Sequence, residues 1–275
     1  MKTIGVIGLG IIGSVWAKHY ANAGVLAGAW NRTPQPDFPQ WRHTPEGVVA
    51  AADVIQIVVS DPAAVQSVLD RIAPSLTAVK IIVQSSTIDP QSSERFRLLV
   101  TSRGARYLEA PFTGSKPAAE ERKSVYYLGG DAAVIEEVQP LLSLVSEVRF
   151  VVGTNQQAAV LKLAVNLNVA AQMQGLAEAL TLARQAGVSD AMFFGVLSKN
   201  VGYSGLTKLK EPKLRAGDFS PQFSVKHLLK DLRLAASAGG AGFPLLATMQ
   251  DCLQAAASAG LADEDFAAII KRLGH

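Results

Sequence analysis

A glycine-rich turn near the start of the chain restricts the possible folds more than any other feature. The apolar run at residues 3–7 leads into Gly8-Leu9-Gly10-Ile11-Ile12-Gly13, after which the sequence has a helical pattern. In a strand–turn–helix unit the first glycine permits a tight turn, the second lets the backbone approach a pyrophosphate, and the third allows close packing of helix against strand. The helix N-terminus supplies amide donors for the phosphates. The pattern predicts that residues 8–13 bind a dinucleotide; the alternative is a glycine-rich turn that binds no ligand.

Short apolar runs alternate with helical stretches as far as about residue 152. The runs are rich in Val and Ile and are too continuously apolar for a sheet with one wet face, so helices are expected on both faces. The first strands are about 25 residues apart, as in βαβ units. We therefore predict a Rossmann-type α/β domain over residues 1–153. Its strands are expected at residues 3–7, 25–30, 53–59, 79–84, 105–109, 124–129 and 147–152.

The second half of the chain has a different pattern. A helical stretch at residues 155–186 would be about 45–50 Å long and has apolar residues on nearly all its faces, which indicates burial between layers or subunits. It predicts a long helix that joins the first domain to an all-α domain over residues 154–275. Further helical stretches follow at residues 189–199, 203–215, 222–238, 243–258 and 262–273.

Bulk properties exclude several functional classes. The chain has 275 residues, a net charge of +3 and no polybasic tract, so a nucleic-acid partner is not expected. Apolar runs fall short of the roughly 18 residues of a membrane span, so no membrane association is expected. The single cysteine and four histidines lack metal-ligand spacing. The single cysteine also favours a reducing, cytoplasmic compartment.

The end of the second predicted strand indicates which dinucleotide binds. NAD sites usually have an acidic residue there that holds the ribose 2′-hydroxyl, whereas this chain has Asn31-Arg32-Thr33. A guanidinium beside a hydroxyl can hold a 2′-phosphate instead. The sequence predicts NADP(H); the alternative is that Arg32 is an ordinary surface charge.

Two more stretches follow predicted strands, at the sheet edge where α/β proteins bind ligands. In Gln84–Pro90 a helix cap explains Asp89 and Pro90, and Thr87 offers a hydroxyl. In Glu109–Pro117, Thr113, Gly114 and Ser115 could form a carboxylate cradle or merely a turn.

A third stretch has polar residues at helical spacing. Its members could line a ligand site or form an ordinary solvated stripe. They are Phe223, Lys226, His227, Lys230 and Asp231.

Together these stretches resemble the β-hydroxyacid dehydrogenase family, which includes 3-hydroxyisobutyrate dehydrogenases. GLGIIG, SSTIDP, EAPFTGSKPAAE, KLAVN and FSVKHLLKDLRLA occur in the family's order and spacing across essentially the whole chain. The EAPFTGSKPAAE and KHLLKD segments particularly resemble the glyoxylate/succinic semialdehyde reductases. The resemblance implies a 6-phosphogluconate dehydrogenase-like fold, assembly as a homodimer or homotetramer, and an active site in the cleft between the domains.

The resemblance also implies roles for single residues. Lys162 would be catalytic with Asn166 as its neighbour, and the substrate would be a small carboxylated carbonyl compound. Substrate-binding residues would be Thr87, Thr113, Gly114, Phe223 and Asp231. Cofactor-binding residues would be Gly8 to Gly13, Asn31, Arg32, Thr33, Thr87 and Lys230.

Lys162 and Asn166 stand out because they interrupt the apolar run AAVLKLAVNLNVAAQ. Burial of an unpaired ammonium is costly and lowers the pKa of a lysine, so the alternative to a function is that Lys162 reaches water. During hydride transfer to a carbonyl, negative charge develops on oxygen, and an ammonium can stabilise that oxygen and protonate it. Residues four apart share a helix face, so Asn166 could orient the lysine without adding a competing charge.

Two departures from the family pattern affect the predicted specificity. Thr113 stands where relatives usually have serine, which keeps the hydroxyl and adds a methyl group. Asn155-Gln156-Gln157-Ala158-Ala159 replaces a glycine-rich approach to the lysine. Glycines there let the backbone come close to the substrate or nicotinamide, so their loss is expected to change the shape of the pocket.

Two other functions are consistent with the same fold. An imine reductase would reduce C=N bonds, but such enzymes typically have Asp or Tyr at the position of Lys162. A non-catalytic NADP-binding or chromatin-associated module would typically have lost the lysine. Detectable turnover of any carbonyl compound would separate this module from the enzymes.

Overall fold

The computed structural model describes residues 2–274, which divide into two compact units between Lys162 and Leu163. The first contains a sheet of eight strands among the described residues. They are β1 (Ile4–Ile7), β2 (Leu26–Trp30), β3 (Val54–Ile57), β4 (Ile81–Gln84), β5 (Arg106–Glu109), β6 (Phe112–Thr113), β7 (Val125–Gly130) and β8 (Val148–Gly153).

The first five strands form a parallel sheet in the order β2-β1-β3-β4-β5. The strand order reverses at β1, because β2 lies on one side of it and β3, β4 and β5 follow on the other. In open α/β sheets, ligands bind outside the carboxyl ends of the strands at such a reversal. The final residues of β1, β3, β4 and β5 are in register, which brings the following loops to one edge. These final residues are Ile7, Ile57, Gln84 and Glu109.

Helices cover both faces of the sheet, as predicted. One apolar cluster contains Trp16, Tyr20 and Tyr126, and the other contains Leu69 and Phe96. Thr44, Asp61 and Asp89 each precede a proline and accept a hydrogen bond from a first-turn amide, so the sequence specifies these helix starts. The helices are α1 (Gly13–Asn22), α2 (Pro45–Ala51), α3 (Pro62–Ile72), α4 (Pro90–Thr101), α5 (Lys116–Glu120) and α6 (Ala132–Leu142).

The last strands differ from the predicted pattern. The two-residue strand β6 is not evident in the sequence because it is too short to show a periodicity, and it pairs antiparallel with β7. Strand β7 is also antiparallel to β5, so the sheet is mixed. Strand β8 pairs with β7, and its Phe150 and Val151 are exposed although their apolar run predicted burial. An edge strand lacks a neighbour that would cover such side chains.

The second unit is helical. The long helix α7 (Asn155–Gln185) spans the division between the units, and the boundary proposed at residues 153/154 stays a prediction. Within the described residues, no helix combines the length and apolar character needed to cross a membrane. The remaining helices are α8 (Asp190–Leu197), α9 (Gly205–Ala216), α10 (Val225–Ala235) and α11 (Pro244–Ala256).

The last predicted helix is wrong in type. Residues 262–273 were expected to be α-helical, but a shorter 3-10 helix forms at Phe266–Arg272. Asp265 has a non-helical ψ of 143°, and its carboxylate accepts a hydrogen bond from the Ala267 amide, so the helix starts four residues later than predicted. The carboxylate is held there by contacts with residues distant in sequence.

Candidate active site

The glycine-rich turn has the geometry that a dinucleotide requires. Gly8 has a φ of +104°, and a Cβ there would lie 2.1 Å from the Val58 carbonyl oxygen. A Cβ on Gly13 would lie 2.0 Å from the Gly8 oxygen, whereas one on Gly10 would meet no atom within 4 Å. The turn is therefore packed tightly at both ends and open in the middle, where a pyrophosphate would approach. These residues fit a bound dinucleotide.

The side chains of the turn divide into packing and exposed positions. Leu9 is buried and Ile12 packs against the apolar core, while Ile11 is 48% exposed. Helix α1 starts at Gly13, and the Ser14 amide already donates to the Gly10 carbonyl at 3.1 Å. The amides just ahead of this first turn are available to an anion.

Of the three residues that follow β2, Asn31 is half-buried, and Arg32 and Thr33 are exposed. The Asn31 side-chain oxygen accepts a hydrogen bond from the Leu9 amide at 3.1 Å, and its amide group donates to the Thr33 carbonyl. Asn31 thus holds the glycine-rich turn to the end of β2. Arg32 and Thr33 are exposed, so their side chains can reach a ligand bound beside the turn.

The loop after β4 contains Thr87 between two buried anchors. Ser86 and Ile88 are buried, and Thr87 is half-buried. The Ser86 hydroxyl accepts a hydrogen bond from the Val59 amide at 2.8 Å, and Asp89 caps α4 immediately after the loop. The loop is therefore fixed at both ends, which restricts the position of the Thr87 hydroxyl.

The loop after β5 contains the predicted carboxylate cradle. Thr113 lies in β6 opposite Val125 of β7, so regular pairing fixes its backbone. Gly114 is exposed, and its φ of +140° is one that other residues rarely adopt. The threonine hydroxyl and the glycine amide are adjacent along the chain, as an anion cradle requires.

Glu109 is a buried carboxyl at the end of β5. Burial raises the pKa of Glu109 to about 8, although hydrogen bonds from Ser93, Tyr107 and Gln84 oppose the rise. Its Oε2 lies 2.6 Å from the Ser93 hydroxyl and 2.7 Å from the Tyr107 hydroxyl. Its Oε1 lies 2.8 Å from Gln84 Nε2. The carboxyl thus links two strands to α4.

This pKa predicts a specific pH dependence of stability. The folded protein keeps a proton that the unfolded chain releases near the ordinary glutamate pKa of 4.5. The resulting stabilisation is complete below pH 4.5 and is lost as the pH rises through about 8. Between pH 5 and 8, the free energy of unfolding of the wild type should fall relative to that of Glu109→Gln, by up to about 1.4 kcal/mol per pH unit.

Denaturant unfolding at several pH values measures this difference. Glu137→Gln is the control and should show the same pH dependence as the wild type. Arg106 and Lys2 lower the pKa of Glu137 to about 2, so its charge is constant between pH 5 and 8. Wild-type and Glu109→Gln stabilities that stay parallel from pH 5 to 8 would show that Glu109 is ionised throughout.

Lys162 lies in the second turn of α7 and is 8% exposed. Most of its side chain is therefore buried, as a functional role for this lysine requires. Its Nζ lies 6.0 Å from the centre of the Phe112 ring, in the strand that also contains Thr113. The ammonium is therefore near the predicted cradle and largely removed from solvent.

In the second unit, Asn166 and Asp231 are buried together. The Asn166 side-chain amide donates to Asp231 Oδ2 at 2.6 Å, and Asp231 Oδ1 lies 2.7 Å from Lys230 Nζ. Asn166 is 3% exposed and Asp231 is 2% exposed. These contacts fix the Asn166 side chain one helical turn after Lys162 on α7.

The other predicted members of this set have ordinary structural contacts. Phe223 precedes α10, and its ring lies 5.9 Å from that of Phe266. Lys226 forms a surface ion pair with Asp263, and the Ser224 hydroxyl lies 2.8 Å from His227 Nδ1. Of the five residues in this stretch, Asp231 is buried, Lys226 is exposed and the other three are half-buried.

The segment Asn155–Ala159, which replaces the glycine-rich approach, forms the first turns of α7, in agreement with the helical pattern that begins at residue 155. The Gln157 amide donates to the Thr154 hydroxyl at 3.2 Å, and Gln157 Oε1 accepts from the Thr154 amide at 2.8 Å. This is a capping box, and the T-x-x-Q spacing could have revealed it. Asn155 is buried and donates to the Gly129 carbonyl. These side chains stabilise the helix that contains Lys162.

The whole chain is similar in sequence to known families. Residues 3–153 match the family described as the NAD binding domain of 6-phosphogluconate dehydrogenase. Residues 157–273 match the family described as NAD-binding of NADP-dependent 3-hydroxyisobutyrate dehydrogenase. The chain belongs to the β-hydroxyacid dehydrogenase family. As a β-hydroxyacid dehydrogenase it is an NAD(P)-dependent oxidoreductase.

Individual relatives agree with this assignment. The chain is 30% identical to glyoxylate/succinic semialdehyde reductase 2, chloroplastic, of Arabidopsis thaliana, over 98% of this chain and 79% of the relative. It is 29% identical to the cytokine-like nuclear factor N-PAC of Danio rerio, over 100% of this chain and 62% of that protein. A 3-hydroxyisobutyrate dehydrogenase of Mycobacterium tuberculosis, solved with L-serine, superimposes with a TM-score of 0.90 at 26% identity, with each chain fully covered.

No group of three or more His, Cys, Asp or Glu side chains within residues 2–274 could hold a metal ion. The sequence prediction placed no metal ligands in the site. In the first unit, the candidate site of this β-hydroxyacid dehydrogenase contains the glycine-rich turn, two hydroxyl-bearing loops and the largely buried Lys162.

Proposed function

We propose that the protein is an NADPH-dependent reductase that converts small carboxylated aldehydes or keto acids into hydroxy acids. The observation on which the proposal depends is the buried ammonium of Lys162 beside the strand that contains Thr113. A buried cation near an anion cradle suits a substrate with a carboxylate at one end and a reducible carbonyl at the other. Glyoxylate and succinic semialdehyde have this form.

In this proposal Lys162 acts as the general acid. A bound reduced nicotinamide supplies the hydride that reaches the carbonyl carbon. The Lys162 ammonium stabilises the negative charge that develops on the carbonyl oxygen and donates a proton to it, leaving a hydroxyl group and a neutral amine. Because Lys162 is 8% exposed, little water competes for this interaction. Asn166 is proposed to orient the lysine.

The substrate carboxylate is proposed to bind the hydroxyls of Thr87 and Thr113 and the amide of Gly114. Neutral donors of this kind bind a carboxylate without an ion pair. Hydroxyl and amide donors from two fixed loops support this assignment, because their spacing is set before the substrate arrives. The proposed roles of Phe223 and Asp231 in substrate binding, and of Lys230 beside the nicotinamide, stay predictions.

We further propose that Arg32 selects NADPH by binding its 2′-phosphate. Arg32 is exposed beside the glycine-rich turn, and Asn31 presents no carboxylate. Loss of a charge-assisted hydrogen bond costs about 1.5–3 kcal/mol. Arg32→Ala is therefore expected to raise the Kd of NADPH about 10- to 100-fold and to leave the Kd of NADH unchanged.

Fluorescence titration of both nucleotides measures this effect. Arg103→Ala is the matched control, because Arg103 is also exposed but follows the C-terminus of α4, far along the chain from the turn. Equal changes in the two Kd values in Arg32→Ala would contradict a role in recognising the phosphate.

The two alternatives predict different results. An imine reductase would reduce a cyclic imine and would not need the cradle at Thr113 and Gly114. A non-catalytic module would bind NADPH without turnover, and the similarity to a protein named as a nuclear factor keeps this alternative in the test. Retention of a buried Lys162 supports the reductase over both.

NADPH oxidation with matched substrates tests the proposed function. Succinic semialdehyde and butanal have the same chain length and differ in the terminal carboxylate, and a cyclic imine completes the panel. We expect turnover of the acid at least tenfold more efficient than turnover of butanal. Preferential turnover of the imine, or no oxidation at all with NADPH bound, would contradict the proposal.

We also propose a cytoplasmic homodimer or homotetramer. Exposed apolar side chains on β8 and α8, among them Phe150, Val151, Met192 and Val196, support self-association. A single cysteine suits a reducing compartment.

A further inference from the structure

Gln84 and Glu109 are buried polar residues at the carboxyl ends of β4 and β5. They are paired in register across the two parallel strands, and both are fully buried. Polar side chains in such positions are costly unless their hydrogen bonds are complete. Apolar residues could pack there with a smaller loss of free energy, so the hydrogen bonds of Gln84 and Glu109 indicate what this pair does.

Both polar atoms of the Gln84 side chain make hydrogen bonds, with Ser86 in the next loop and with Glu109. Its Oε1 accepts a hydrogen bond from the Ser86 amide at 2.6 Å, and its Nε2 donates to the Ser86 carbonyl at 2.8 Å. The same Nε2 donates to Glu109 Oε1 at 2.8 Å. One side chain therefore fixes both backbone polar groups of the residue that precedes Thr87.

The pair also borders the loop after β5, because Ala110 follows Glu109 directly in the chain. The Ala110 amide donates to the Gln84 carbonyl at 2.7 Å, which extends the strand pairing into the segment leading to Thr113. On its other side, Glu109 is held by the hydroxyls of Ser93 and Tyr107. The two hydroxyl-bearing loops are thus joined through Gln84 and Glu109.

We propose that Gln84 and Glu109 form a buried clamp that positions the two loops and thereby determines the preference for carboxylated substrates. The clamp rests on the proposed function, in which Thr87, Thr113 and Gly114 bind the carboxylate. Binding groups must be held within about 0.5 Å of their productive positions, and these groups come from separate loops. Neither Gln84 nor Glu109 touches the substrate in this account, so both are positioning residues.

Gln84→Met is the main test. Methionine has a similar length and volume but removes all three side-chain hydrogen bonds. Tyr107→Phe is the matched control, because it removes one hydroxyl bound to Glu109 and leaves every contact of Gln84 in place. The measured quantity is the ratio of kcat/KM for succinic semialdehyde to kcat/KM for butanal.

The ratio is expected to fall at least tenfold in Gln84→Met and to stay within twofold of the wild type in Tyr107→Phe. The Kd of NADPH should stay within threefold in both. Glu109→Gln keeps an acceptor for Gln84 and should preserve the ratio at neutral pH. An equal loss for both substrates in Gln84→Met would reduce Gln84 to a stabilising role and overturn the proposal.

Hydrogen exchange tests the clamp without relying on activity. Amides at residues 85–88 and 110–114 should exchange faster in Gln84→Met than in the wild type, with no such change in Tyr107→Phe. If the wild type reduces neither carbonyl compound, the proposed function fails, and exchange alone decides whether the clamp holds the loops. Unchanged exchange in Gln84→Met would overturn the proposed clamp.

Glu109→Asp is the second variant if Gln84→Met does not fold. The shorter side chain withdraws the carboxylate from Gln84 and should speed exchange at the same amides. Unchanged exchange in Glu109→Asp would also overturn the clamp.

Discussion

Lys162→Ala is expected to lower kcat for the reduction of carboxylated aldehydes by about 10²- to 10⁴-fold, the usual contribution of a positioned general acid. The alanine variant has no group that can stabilise the developing oxyanion and protonate it. The Kd of NADPH should change by less than threefold, because the proposed nucleotide contacts come from the glycine-rich turn and Arg32. Rapid-mixing kinetics at saturating NADPH measure the chemical step.

Two controls separate chemistry from packing. Lys80, which immediately precedes β4, is another partly buried lysine, and its Nζ donates to the Ala52 carbonyl. Lys80→Ala should leave kcat within twofold of the wild-type value. Added ethylammonium can fill the space left by Lys162→Ala and should restore part of the rate. A variant with nearly wild-type kcat would assign the proton donor to another group.

The second large effect is on stability. Asp265→Ala is expected to lower the free energy of unfolding by about 3–5 kcal/mol, because it leaves the Lys210 ammonium buried without a counter-ion. Lys210 Nζ lies 2.7 Å from Asp265 Oδ1, and both side chains are at most 1% exposed. Burial lowers the pKa of Lys210, so the ammonium depends on its partner. Differential scanning calorimetry and denaturant unfolding measure the loss.

Lys210→Met should cost less than Asp265→Ala. The Asp265 carboxylate also accepts from the amides of Gln222 and Ala267, so it keeps partners when the lysine is removed. Asp263→Ala removes the partner of Lys226 in a surface pair and should leave the melting temperature unchanged. Equal stabilities of Asp265→Ala and Asp263→Ala would show that the buried pair contributes nothing.

The sequence predicts those parts of the fold and site that depend on local chemistry. Gly8, Gly10 and Gly13 are recognisable because they fall at a fixed spacing within six residues, between a strand and a helix. Asp61 and Asp89 mark helix starts through capping, again a local effect. The parallel strands were recognised from continuous apolar runs. Lys162 was recognised because a lysine in an apolar helical run has few structural explanations.

The features that the sequence did not predict depend on distant partners. Gln84 and Glu109 are the last residues of their strands. At a strand end, the sequence pattern of a buried polar residue does not differ from that of an exposed one. Asp265 and Lys210 are separated by 55 residues, so no local pattern links them. For the same reason the change from an α-helix to a 3-10 helix near the C-terminus was missed. The exposure of Phe150 follows from the position of β8 at the sheet edge, which its apolar pattern does not encode.

The most direct test of the proposed reductase is the transfer of deuterium from NADPH, labelled at both C4 positions of the nicotinamide, to succinic semialdehyde and glyoxylate. Mass spectrometry of the products identifies both the reaction and the carbon that receives the label. The account predicts hydroxy acids with one deuterium at the former carbonyl carbon, formed by the wild type and, at the same time point, about 10²-fold or more weakly by Lys162→Ala. Unlabelled products, no hydroxy acid despite bound NADPH, or equal yields from the two proteins would contradict it.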